Sequence, residues 1–173
     1  MNIINISDFQ TKGKFELHTG MFDNPRVQEY INKYEKKYLI NLFGVALYME
    51  FELDLILGSG TPTESRFIKV FEPFAIDRCG SVIYSEGIKE MLKGFIYYEY
   101  VKDLTNQMSS IGNVVPVGEN SENGTTLYSM MYNRYNEAAA NYKAIQYWIS
   151  FNNDAAYNYD GFSGNAKGFV YWI

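Results

Sequence analysis

Apolar residues recur every three or four positions through most of the chain, and that period predicts a mainly α-helical protein. The first run opens at Asn24-Pro25, an N-cap with proline at the first helical position. It carries Val27, Ile31, Tyr34, Tyr38 and Leu42 on one side, while Arg26, Glu29, Lys33, Lys36 and Lys37 fall largely elsewhere. Gly44 punctuates it, and Val45 to Leu57 continues the helical period through Leu47, Phe51 and Leu55 until Gly58 and Gly60 stop it. The alternation from Met49 to Leu55 suits a strand as well. Thr61-Pro62-Thr63-Glu64 reads as a capping box that opens a short helix ending by Phe71, ahead of Pro73. Phe74 to Ile76 and Ser81 to Tyr84, on either side of Asp77-Arg78-Cys79-Gly80, predict a small β-hairpin.

Ser85 can cap a helix reaching about Gln107, with Ile88, Met91, Leu92, Phe95 and Ile96 on one side and Tyr97, Tyr98 and Tyr100 spread around the rest. A last helix opens at Thr125 or Thr126 and runs to about Asn152 through Leu127, Met131, Arg134, Ala138, Tyr142, Ile145 and Ile149. Its Ala138-Ala139-Ala140 run predicts close approach by another helix, and so a central place. Between these two long helices lies Met108 to Gly124, long for a connection in a bundle and therefore a candidate functional loop. Ile111, Val114, Val115 and Val117 give it an apolar heart, followed by Glu119 and Asn120.

The ends lack helical period. Residues 1–22 read as an extended N-terminal arm, and residues 153–173 as a polar, glycine-bearing C-terminal arm tipped by Phe169, Val170, Tyr171, Trp172 and Ile173. That tip either docks into a partner or folds back on its own core. The expected architecture is one domain: a small helical bundle over 23–152, a minor β-hairpin, the 108–124 loop and the two arms.

Composition narrows the function classes. The 173 residues are 47% hydrophobic, 20% charged and 17% aromatic, which is globular with an excess of residues favoured where one end is packed and the other wet. A net charge of −5 offers no overall cationic field for nucleic-acid phosphates. The single cysteine, Cys79, excludes an intramolecular disulfide and a multi-cysteine metal site. The start lacks the features of a signal peptide, and no apolar run approaches the roughly 20 residues of a membrane span, so a soluble protein made in a reducing cytoplasm is expected.

Candidate chemistry is sparse. His18 is the only histidine and sits in the N-terminal arm beside no evident nucleophile. Glu50, Glu52 and Asp54 read as a solvated helix face. Gly58-Ser59-Gly60-Thr61 lacks the lysine of a phosphate loop, and Asp154 to Asn165 lacks the turn glycine and closing glutamate of a calcium loop. No catalytic residue, cofactor or metal site is expected. A fold with two arms, a long loop and many aromatics suits assembly.

Three stretches carry a family likeness. INISDFQTKGKFELHTGMFDNPRVQEYINKYEKKYLINLFG, GIKEMLKGFIYYEYVKDLTNQMSSIGNVVPVGENSENG and TTLYSMMYNRYNEAAANYKAIQYWI, in that order, resemble the head-tail connector (adaptor) proteins of tailed bacteriophages, most closely the ring proteins of crAss-like and other Bacteroides phages. The resemblance implies a homo-oligomeric ring, commonly of twelve copies, beneath the portal protein at the head-tail junction of the virion. It would bridge the portal to other neck or tail proteins, with double-stranded DNA passing through without specific binding. Ile111, Val114, Val115, Val117, Glu119 and Asn120 in the loop, and Phe169, Tyr171, Trp172 and Ile173 at the tip, are then the candidate contacts to neighbouring subunits, portal or tail. The alternatives are another ring or stopper protein of the same neck, or a helical domain that binds a small ligand or catalyses a reaction through its tyrosine faces.

Overall fold

The computed structural model describes residues 2–17, 23–78, 80–105, 108–109, 112–113, 125–153 and 157–169. Its elements run α1 (Ser7–Gln10), α2 (Asn24–Phe43), α3 (Val45–Leu57), α4 (Ser65–Phe71), β1 (Phe74–Arg78), β2 (Ser81–Ser85), α5 (Gly87–Thr105), β3 (Met108–Ser109), β4 (Gly112–Asn113) and α6 (Thr125–Phe151). The chain is mainly helical with a small antiparallel hairpin, as its periodicity predicts. The stretch from Met49 to Leu55 is helix: Leu47, Tyr48, Phe51, Asp54 and Leu55 are buried while Val45, Met49 and Leu53 are exposed, a split that only the helical period makes, since a strand would put all the odd-numbered positions on one face. Within the expected loop, β3 and β4 pair antiparallel, Met108 opposite Asn113.

The bundle is organised around α5. Ile88, Met91, Leu92, Phe95, Ile96, Tyr97, Tyr98, Tyr100 and Val101 are all buried, so this helix, rather than α6, is the most enclosed. Where α5 crosses α6, Gly94 faces Ala138: a Cβ on Gly94 would lie 2.8 Å from the Ala138 Cβ and 3.0 Å from the Arg134 carbonyl. The alanine run of α6 does admit a helix, and the helix that enters presents glycine. Beside this crossing the Phe95 ring stacks on Tyr38 of α2, with centroids 4.2 Å apart, and meets Tyr135 and Tyr142 of α6 edge-on at 5.3 and 6.0 Å.

Both ends are non-helical for most of their length, yet their described parts pack on the bundle. Ile3, Ile4, Phe9, Phe15 and Leu17 are buried in the common core. The amides of Ile3 and Ile4 donate to the two carboxylate oxygens of Glu35 at 2.8 and 3.0 Å, and Lys14 reaches Glu137 at 2.7 Å and Glu86 at 3.3 Å. At the other end Tyr159 is fully buried and donates to the carbonyl of Arg66. The amides of Ser163 and Asn165 donate to the carbonyls of Phe43 and Asn41, the last turn of α2, so the C-terminal segment satisfies acceptors that the helix end leaves open. Tyr142 places its hydroxyl 2.6 Å from the Asn41 carbonyl in the same knot. Gly44, with φ of 77°, turns the chain from α2 into α3 beneath Ser163, whose hydroxyl a Cβ there would meet at 2.2 Å.

Two outcomes follow from these contacts. Gly94→Ala lowers stability, because overpacking costs about 1–3 kcal/mol and outweighs the helix-propensity gain of about 1 kcal/mol; urea unfolding reads it, and an unchanged or raised midpoint contradicts the close crossing. Glu35→Ala strands two amides at a cost of about 1–3 kcal/mol and speeds hydrogen exchange at Ile3 and Ile4 by more than it does elsewhere.

Candidate interaction surface

Helix α3 reads VALYMEFELDLIL and carries apolar residues on both its inner and its outer side. Its inner side places Leu47, Phe51 and Leu55 in the core, where the Phe51 ring meets Phe43 at 4.9 Å and Phe67 at 5.2 Å. The outer side keeps Val45, Met49, Leu53, Ile56 and Leu57 in solvent, at 61, 64, 60, 59 and 73% exposure. Val45, Met49, Leu53 and Leu57 follow one another in steps of four and so form a single ridge roughly 18 Å long. With Ile56 they make up half of the exposed large apolar side chains among the described residues.

The rim of the ridge is acidic on α3 itself. Arg66 of α4 ties Glu50 and Glu64 together, each at 2.7 Å, and Glu52 accepts a hydrogen bond from the Tyr48 hydroxyl. A second apolar patch lies on the β1–β2 hairpin. Its register pairs Ala75 with Tyr84 and Asp77 with Val82 on the outward face, where Val82 and Tyr84 are exposed, while Phe74 turns inward onto Trp148.

Asp54 corrects the expectation of a solvated acidic face. Glu50 is exposed as expected, but Asp54 is buried and accepts from the Thr63 hydroxyl, the Thr63 amide at 2.9 Å and the Glu64 amide at 3.1 Å. It also displaces the expected capping box: α4 starts at Ser65, and Asp54, ten residues before Glu64, takes the amides that a local cap would hold. Burial would raise the Asp54 carboxyl, but the Thr63 hydroxyl, the two amides and the Arg66 charge outweigh it and hold it below its ordinary value of 3.8.

Recesses are modest. A cleft of about 210 Å³ between α2 and α3 is lined by Asn32, Glu35, Lys36, Tyr48, Glu52 and Ile56 among others. Among the described residues no group of three histidine, cysteine or carboxylate side chains is placed to hold a metal, and His18 and Cys79 lie outside those residues. No described helix is long and apolar enough to cross a membrane.

Of the interface residues expected from sequence, Phe169 is described: its ring is partly exposed and lies against Lys143 of α6, with Nζ 3.5 Å from the centroid. Ile111, Val114, Val115, Val117, Glu119, Asn120, Tyr171, Trp172 and Ile173 lie outside the described residues. Lys33, Lys36 and Lys37 are exposed along α2 beside the Tyr34 and Tyr48 rings. Sequence reasoning missed the outer face of α3. The available signal was a helix with apolar rows on two sides, which needs cover on both and finds it among the described residues on one. No protein-family model, curated protein or solved structure matches the chain.

The stability that ionised Asp54 contributes is present above pH 3.8 and is lost as pH falls through its lower folded value. Asp54→Asn therefore costs about 1.5–3 kcal/mol at neutral pH, where charged hydrogen bonds are replaced by weaker ones, and the deficit shrinks in acid. Urea midpoints of both proteins from pH 7 downward check this; a constant gap contradicts it.

Proposed function

We propose that this chain is a non-enzymatic structural protein of a tailed-phage virion, a head-tail connector that forms a ring beneath the portal, joins it to neck or tail proteins and lets DNA pass. The observation that carries the assembly class is the exposed apolar surface, concentrated on α3 and the hairpin of a well-packed bundle. Single exposed apolar residues are ordinary, whereas contiguous ones mark interaction sites. The likeness of the three sequence stretches supplies the specific setting. The acidic net charge is compatible with a channel that conducts DNA without retaining it, since a basic lining would gain affinity by counterion release.

A small-ligand reading would rest on the cleft beside Glu35. At about 210 Å³ it is below the roughly 300–1,000 Å³ of such sites, and its buried carboxylate is already engaged by two backbone amides; the larger hollows beside Arg134 and beside Arg66, about 370 and 410 Å³, are open surface depressions. The connector reading places copies of the chain, the portal and further neck or tail proteins as partners, with the 108–124 loop facing one of them.

Mixed with the portal protein from the same genome, the full chain is expected to leave its free mass and elute as one complex of portal size. Deleting residues 110–122 should preserve the helical circular dichroism and abolish that complex. Absence of any complex across low and high salt overturns the connector reading, and full binding by the deletion variant overturns the role of the loop.

A further inference from the structure

The outer ridge of α3 has a size, shape and charge that restrict what can cover it. Scaling the five exposures by ordinary residue areas gives roughly 550 Å² of side-chain surface, at the upper end of what a lone soluble protein leaves open. A helix ridge is convex, so it encloses no small molecule. A lipid surface suits it poorly. At 13 residues α3 is about 20 Å long against about 30 Å of bilayer core, and Glu50, Glu52 and Asp54 are its only charges, with no lysine or arginine to meet anionic headgroups.

We infer that the Val45, Met49, Leu53 and Leu57 ridge is a self-association surface, covered by α3 of a second copy of this chain lying antiparallel across a twofold axis. Steps of four make the ridge symmetric about position 51. Antiparallel pairing sets Val45 against Leu57 of the second copy and Met49 against Leu53, so every apolar position meets an apolar one. The same register carries Glu52 of the second copy toward Glu50, a like-charge contact that Arg66, which Glu50 shares with Glu64, offsets only in part. Complete burial of both faces, Ile56 included, would remove at most roughly 1,100 Å² in total, at the lower edge of what a specific interface needs and below the standard size. The pairing is therefore a reversible dimer. It rests on the exposure and spacing of α3 and not on the connector reading; a ring grows through unlike surfaces, whereas this one matches itself.

The test is light-scattering mass of the full chain up to roughly 100 µM, where a micromolar dimer is populated. The mass should rise toward twice 20.0 kDa with concentration. Leu53→Glu and Met49→Lys, both at exposed positions, should keep the helical circular dichroism and return the mass to one chain. In a Cys79→Ser background, mixed Met49→Cys and Leu53→Cys chains should oxidise to a cross-linked pair, while a Val82→Cys control mixed with either should not. A wild-type monomer at the top concentration overturns the inference. So does an oligomer that survives Leu53→Glu, which would use another surface, or a monomer whose α3 variants lose binding to a different protein or to anionic vesicles.

Discussion

The constraint on which the rest depends is the absence of side-chain bulk where α5 crosses α6. Gly94 meets Ala138 at a separation that leaves no room for even one added carbon, so the two backbones set each other's position. Phe95, the next residue, is thereby held against Tyr38 on one side and Tyr135 and Tyr142 on the other, and three helices share one aromatic centre. Tyr142 then carries its hydroxyl to the last carbonyls of α2, where the C-terminal segment also binds. A single close crossing thus fixes the axis of α2, the end of α2, and the point where Gly44 sends the chain into α3.

From that point the polar groups set the local geometry. Asp54 reaches from α3 to the amides of Thr63 and Glu64, just ahead of α4, and so fixes the angle between two helices that share few other polar ties. That angle brings Arg66 between Glu50 and Glu64 and on to the carbonyl of Asn158. The inner face of α3 is consequently locked by aromatic packing and its flank by charge pairing, while the outer face has no partner within the described chain. Glu35 plays the matching part midway along α2, where its carboxylate draws two amides of the N-terminal segment down onto the core. Burial raises this carboxyl despite those amides, which marks the site as one where packing dominates over solvation of charge.

These features suit a protein that works by being held. The many tyrosines bury their rings and keep hydroxyls for fixed acceptors, such as Tyr38 on Glu99 and Tyr159 on the Arg66 carbonyl, which stiffens the bundle. A stiff body with an exposed apolar ridge and hairpin face fits the proposed structural role, in which contacts persist without rearrangement.

The period of apolar residues determined the helices, because burial of one side at 3.6 residues per turn is a local requirement written directly into the chain. Val27, Ile31, Tyr34, Tyr38 and Leu42 were legible for that reason, and the hairpin was legible from two short apolar runs on either side of a turn. Sequence also traced the helical period of α3 through Leu47, Phe51 and Leu55 and read Glu50, Glu52 and Asp54 as its solvated face, but a second apolar row at Val45, Met49, Leu53 and Leu57 leaves the local pattern unable to choose which row faces the core. That choice was made by Phe43 and Phe67, which lie on other elements. Nor could spacing show that Asp54 is buried or that Glu35 holds residues 3 and 4, because each carboxylate finds amides that are remote in the chain or beyond a helix end. Local periodicity reports what a residue must avoid, and only the packed structure decides what it meets.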